Sequence, residues 1–450
     1  MMTLNVVNLV YNNMKILIQS SAFLLVRNSI TCFLLGLFSV QTFAQETIFQ
    51  DGIMYRVLDN YKLEVTQKYN FDEVFAFQNY DEERIVIPET VVYDNNTYTV
   101  TSIGNQAFNF CKKLRTVSLP NSLKTIGIAA FIQTPLEIIE IPNNVSSVGS
   151  SAFAGCNQLE EVVLPSSIKS IPYNTFMGCK KLKTIEIPEN VLEIGPCAFA
   201  YCNSLDTILL PDGLTTIGYG AFSGCESLVE INLPESLKNL GNNDFDNYSY
   251  EDGVFENCIN LSYIRIPEGV ELLYYKALYN CSSLVLAIIP STVKEIGKLS
   301  FFLCDNLKFL YCFNPTPVDI GTDVFCYDQN PYDDEVPVFE ESEVVKSCTL
   351  YVPSGSKAAY ESHDVWGAFK IVEFDPDNVD LDELENAALV SHEWCPTVIN
   401  QFTQQDLGIP ATYYDITGKK MSGQQPGINI IKYKNGVTKK IIVGNNYVAE

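Results

Sequence analysis

The sequence predicts an α/β-type repeat solenoid dominated by short β-strands, and three observations carry that expectation. Prolines close an apolar stretch at Pro120, Pro142, Pro165, Pro188, Pro211, Pro234, Pro267 and Pro290, at steps of 22 or 23 residues apart from one of 33. Between them recurs the unit P-x-x-[VIL]-x-x-[IVL]-G-x-x-A-F-x-x-C-x-x-L-x-x-[IV]-x-[IL]-P. A unit this short cannot bury its apolar side alone, so successive copies must stack. Finally, 47% of the residues are hydrophobic, too many for a disordered chain.

The segment 1–44 reads as a secretory signal peptide. Lys15 and Arg27 precede the apolar run Ile30 to Val40, and Thr42-Phe43-Ala44 offers small residues at the cleavage positions, before Gln45. Met1 and Met14 both fit as the start, and a short uncut anchor is the alternative. The run is too short to span a bilayer comfortably, so the mature chain is expected outside the cytoplasm without a transmembrane segment.

Within each coil every position has a task. In the stretch Leu228 to Pro234, Leu228, Ile231 and Leu233 alternate inward, and Pro234 ends the strand by withholding a ladder donor. Gly218 is expected to permit a sharp turn. Phe222 and Cys225 lie three apart, so a helical turn would put both on one face. Strands stacked about 4.8 Å apart make ten coils a rod roughly 45 Å long. This is the unit of a leucine-rich-repeat solenoid with coils of about 23 residues.

On those motifs, about residues 101–355 resemble the BspA-like leucine-rich repeat of Bacteroidota surface proteins. The resemblance extends to the flanks. Asp51 to Lys68, followed by the run from Arg84 to Gly104, is similar to that family's N-terminal β-cap, and Thr349 to Phe369 to its terminal cap. The expected organisation is a signal peptide at 1–44, a β-cap at 45–100 and the solenoid with its cap at 101–372. An acidic linker at 373–405, with a short helix in its middle, then leads to a β-sandwich-like domain at 406–450. Within that last segment, Thr412 to Gly444 alternates strands with glycine turns. It resembles a type A sorting domain of type IX secretion substrates, which implies export across an outer membrane and attachment to a cell surface.

The cysteines form a column: Cys111, Cys156, Cys179, Cys202, Cys225, Cys258, Cys281 and Cys304. Neighbouring coils would bring their Cα atoms to about 5 Å, within disulfide range. Two facts favour a ladder of buried thiols used as small apolar fillers instead. Thr134 takes one rung, and removing Cys32 with the leader leaves an odd number of the 14 cysteines. Cys197, Cys326 and Cys395 stay undecided. With histidine only at His363 and His392 and no C-x-x-C pair, no zinc spacing appears.

No nucleophile elbow, zinc-protease helix, P-loop or dinucleotide fingerprint occurs, so neither an enzyme nor a cofactor is expected. His363, flanked by Ser362 and Asp364 in the terminal cap, reads as an ordinary surface residue, because a triad is recognised by geometry. The 29 basic and 54 acidic residues give a net charge of -25, which argues against a nucleic-acid groove. Asp244, Asp246, Glu251 and Asp252 could offer calcium hard oxygens from the insertion Asn242 to Gly253. Their spacing is not that of an EF-hand, and a solvated loop is the plainer reading.

Binding is where the pattern is informative. Residues flanking the middle apolar position of each strand should face outward. Early coils place polar residues there, such as Thr116, Ser118, Glu230 and Asn232. The last three coils place Tyr263, Arg265, Leu286, Ile288, Phe309 and Tyr311 there instead. A contiguous apolar patch on a wet face marks a contact surface. The expected partner is a host or bacterial surface protein, or a glycan stacking on the aromatics. The alternative is that the terminal cap or the 327–346 insertion covers the patch.

Overall fold

The computed structural model describes residues 46–242, 252–325 and 342–390, apart from 59, 70–76 and 79, together with the backbone of four strands between 410 and 443. The segment 1–44 read as a signal peptide, Asp244, Asp246, Glu251, Cys326, Cys395 and residues 327–341 of the second insertion lie outside the described residues. The chain winds into a β-solenoid of about 11 turns with coils of about 23 residues and almost no helix.

Each coil has three sides. The first is a short strand, such as Ile138–Glu140, paired in parallel with Glu161–Val163 at Ile138↔Glu161. The same offset of one repeat recurs at Thr184↔Thr207 and Leu286↔Phe309. In the early coils these strands are buried only at their middle residue, as in Thr116–Ser118, where Val117 is inward and its neighbours are exposed. The second side is the two- or three-residue strand before the glycine, such as Glu193–Ile194 paired with Thr216–Gly218.

The third side, carrying A-F-x-x-C, is a chain of tight turns and not the expected helical turn. Two residues per coil take left-handed backbone, for example Ser151 (φ 57) with Gly155 (φ 72), and Cys197 (φ 52) with Tyr201 (φ 59). Such residues interrupt an α-helix after one turn. What survives is the i→i−3 bond from the Cys225 N–H to the Phe222 carbonyl, at 3.1 Å, with both side chains fully buried. Alternate N–H groups reach the next coil: Gln106, Phe108 and Phe110 donate to Ile128, Ala130 and Ile132 at 2.8 to 2.9 Å. Backbone polar groups on this side are thereby satisfied without a helix.

Gly218 is needed for a different reason from the one expected. Its φ is not in the left-handed region, but a Cβ there would lie 2.5 Å from the Pro196 nitrogen of the preceding coil. Gly127 and Gly149 meet the preceding coil at the same distance. This glycine column sets how closely coils approach.

The interior is a set of columns. Phe108, Phe131, Phe153, Phe176, Phe199, Phe222 and Phe255 stack with centroids 5.1 to 5.7 Å apart and rings within 12° of parallel. Each such pair contributes about 0.5–1.5 kcal/mol beyond area burial. Beside them the thiols are unpaired with one another, and those from Cys156 to Cys304 donate to carbonyls of the preceding coil. Cys179 Sγ lies 3.3 Å from the Phe153 carbonyl, Cys225 Sγ 3.3 Å from that of Phe199, and Cys281 Sγ 3.2 Å from that of Phe255. Thr134 Oγ1 donates to its own Phe131 carbonyl at 2.9 Å, so a small donor is what the rung requires. Burial pushes the Cys156 thiol up to about 11 and Cys202 to about 12, which keeps them protonated and unreactive at neutral pH.

The ends are closed. At the N-terminal end, Thr47–Gln50, Ile53–Leu58 and Lys62–Thr66 form an antiparallel meander, and Lys62–Thr66 pairs in parallel with Asn96–Ile103. At the other end Thr349–Pro353 and Lys370–Phe374 continue the sheet, and buried Trp366 donates its indole N–H to the Val318 carbonyl at 2.8 Å. The helix Leu381–Val390 follows. The four C-terminal strands form one antiparallel sheet, ordered Lys420–Met421, Pro410–Asp415, Gly427–Tyr433 and Thr438–Val443.

Candidate binding face

The first side of the solenoid presents one residue either side of each buried middle position, and two regions of it differ. From Arg84–Val86 to Thr184–Glu186 both flanking residues of every strand are exposed. Most are Thr, Ser or Glu, but Val86, Ile138 and Val163 are apolar and 57%, 51% and 46% exposed.

The second region runs from Tyr263–Arg265 to Phe309–Cys312. Here Tyr263, Leu286, Ile288, Phe309 and Tyr311 are only 2–4% exposed, which corrects the expectation of an open patch. Among the described residues the cover is not the terminal cap alone. It is the helix Leu381–Val390 from the acidic segment, whose Leu384 and Ala388 pack into the same cluster, with Leu381 and Val379 partly buried beside them. Tyr351 and Phe374 of the last two strands complete the wall. Tyr351 stacks on Tyr311 at 4.4 Å, and Phe374 meets it edge-on at 5.3 Å.

Arg265 anchors the helix electrostatically. Its guanidinium lies 3.9 Å from Asp382, 3.7 Å from Glu385 and 3.3 Å from Glu235. Burial against the sheet raises the Glu385 carboxyl above its usual range, with Arg265 opposing the rise and Asp382 and Glu230 adding to it. The Tyr263 hydroxyl donates to Asn232 at 3.3 Å, and burial raises it also.

The other candidates have structural partners. Asp252 accepts from the Tyr201 and Ser223 hydroxyls at 3.0 and 3.3 Å, where it secures the re-entry of the first insertion. Glu256, missed in the sequence because it sits at an ordinary coil position, is buried there. It accepts from the Gly253 N–H at 2.9 Å and pairs with Lys276 at 3.0 Å. Lys276 in turn lies over the Tyr279 and Tyr275 rings. His363 Nδ1 accepts from the Val365 and Trp366 N–H groups, which fixes the turn that delivers Trp366. Cys197 is partly exposed and is not joined in a disulfide. Among the described residues, no three His, Cys, Asp or Glu side chains gather as a metal would require. Among them, too, no helix is long and apolar enough to cross a membrane.

A family model described as the BspA type leucine rich repeat region matches in 6 copies, over residues 73–206, 169–251 and 248–330. Among solved structures, a leucine rich cell surface protein from Faecalibacterium prausnitzii is 20% identical, covering 78% of this chain and 98% of that one, with a TM-score of 0.45. A leucine-rich repeat protein from Bacteroides ovatus is 22% identical, with coverages of 73% and 100% and a TM-score of 0.40. The pneumococcal vaccine antigen PcpA is 16% identical, with coverages of 74% and 99% and a TM-score of 0.34. No curated protein matches the chain significantly.

Proposed function

The chain belongs to the BspA-type leucine-rich-repeat family, and from that premise we propose that it is an exported, non-catalytic surface protein that recognises a host or bacterial surface protein. The observation carrying this reading is the open sheet face from Arg84–Val86 to Thr184–Glu186. There, exposed Val86, Ile138 and Val163 sit among carboxylates and hydroxyls on a rigid, regularly spaced platform. Its outward side chains have no part in the core, so they are free to specify a ligand.

Export is supported by the signal-like segment 1–44, and surface attachment by the sorting-like pattern between Thr412 and Gly444. The glycan alternative loses its main support. Sugar rings need accessible aromatic faces, and the sheet-face aromatics that would supply them lie beneath the helix Leu381–Val390. The test is a matrix-protein and cell-surface binding panel, run beside a glycan array, with the mature protein and a variant carrying Ile138→Glu and Val163→Lys. Protein binding that the variant loses while its melting temperature holds supports the proposal. Binding that the variant retains, or binding to glycans alone, refutes it.

A further inference from the structure

We propose that the covered third of the sheet face is a helix-docking site held shut by the chain's own helix Leu381–Val390, and that its partner is an acidic amphipathic helix of the same pattern.

The solenoid itself does not require this patch. Early coils close equally well with Thr, Ser and Glu in the slots that later hold Tyr263, Leu286, Ile288, Phe309 and Tyr311. Five apolar side chains on adjacent strands therefore exist for what lies on them. The resident fixes the chemistry of that occupant. Leu381, Leu384 and Ala388 lie at i, i+3 and i+7, one stripe of a helix, and Asp382 and Glu385 at i+1 and i+4 face Arg265. A ligand helix needs apolar residues and carboxylates at those offsets.

The resident is also a weak occupant. A helix of 10 residues is marginal in water on its own, so it holds its form only while docked. Ala388 offers the cluster a single methyl. The Asp382–Arg265 pair at 3.9 Å is screened by solvent, Asp382 being 87% exposed, and Glu385 is partly desolvated. A partner helix with a larger apolar residue at the Ala388 position would bind in its place and release the segment. This inference concerns only the coils from Tyr263 to Tyr311, and its readout is a peptide affinity, so it stands or falls apart from the open face.

The probe is a fluorescent peptide of residues 378–391 carrying Ala388→Leu, titrated into the mature full-length chain. Leu384→Asp in the protein should free the site, so that the peptide binds at least tenfold more tightly than to the unaltered chain. A second variant, Asp382→Lys with Glu385→Lys, should free it by repulsion from Arg265 without touching a buried apolar residue. Adding Arg265→Glu to the Leu384→Asp background should weaken the peptide at least tenfold, and a peptide bearing Asp382→Lys and Glu385→Lys should recover it. Failure of both folded variants to bind, or affinity indifferent to Arg265, overturns the proposal. So does a dimer of the unaltered chain that exchanges its helices, because the occupant would then be a second copy.

Discussion

The early and late strands of the sheet face share one backbone and use their outward residues in opposite ways. Thr116–Ser118 and Thr184–Glu186 bury only the middle residue, whereas all four residues of Leu286–Ile289 and Phe309–Cys312 are buried. The pairing is the same, with Leu286 opposite Phe309 as Thr184 is opposite Thr207. A solenoid thus separates scaffold from surface. Inward columns of Phe and Cys make the coils, and the outward pair decides whether a coil faces solvent or a covering helix.

The largest effect that could break this comparison lies in what both regions share. Phe199→Ala removes a fully buried ring from the stack and should cost about 3–5 kcal/mol in a urea melt. A cost below about 1 kcal/mol would mean that the coils are not held by that column. The next effect should separate the regions. Tyr311→Ser, beneath the helix, should destabilise the terminal coils by about 2–3 kcal/mol. Ile138→Ser on the open face should stay within about 0.5 kcal/mol. Equal losses at the two sites would erase the distinction.

Much of this was legible in one dimension, because the repeat writes its core into fixed positions. Phe222, Cys225 and Leu228 are inward as their spacing implies. Other features depend on neighbours far along the chain. Gly218 resembles a turn glycine, yet its constraint is Pro196, one coil away. The left-handed position two after each Phe is visible as Gly155, Gly178, Gly224 and Asn257, and after Leu278 in the same slot as Asn280, but Phe110, Tyr201 and Leu303 occupy it too and hide the rule. The aromatic patch was readable and its occupant was not. Leu381, Leu384 and Ala388 form a helical stripe, but the surrounding acids give the segment the look of a solvated linker. No local pattern indicates which surface that stripe will meet.

A smaller effect follows from the covering helix. Glu385 has a higher proton affinity docked than it would have free, facing Arg265 and Tyr263 on the strand, Glu230 of the preceding coil and Asp382 on the helix. The docked form therefore binds the proton more tightly. Docking is strongest below the ordinary carboxyl value of 4.5 and weakens as pH rises through the raised one. Hydrogen exchange of the 381–390 amides, corrected for intrinsic rates, should be about threefold more protected at about pH 5 than at about pH 7.5. Protection that grows with pH would reverse the sign.

The cover itself is tested most directly by hydroxyl-radical footprinting of tyrosines in the full chain, with Tyr173, 44% exposed, as the internal standard. Tyr263 and Tyr311 should label at least tenfold more slowly than Tyr173, and Leu384→Asp should raise both toward it without altering the melt of the early coils. Labelling of Tyr263 and Tyr311 at the rate of Tyr173 in the unaltered chain would show that the late strands are as open as the early ones, and would contradict the division of the face.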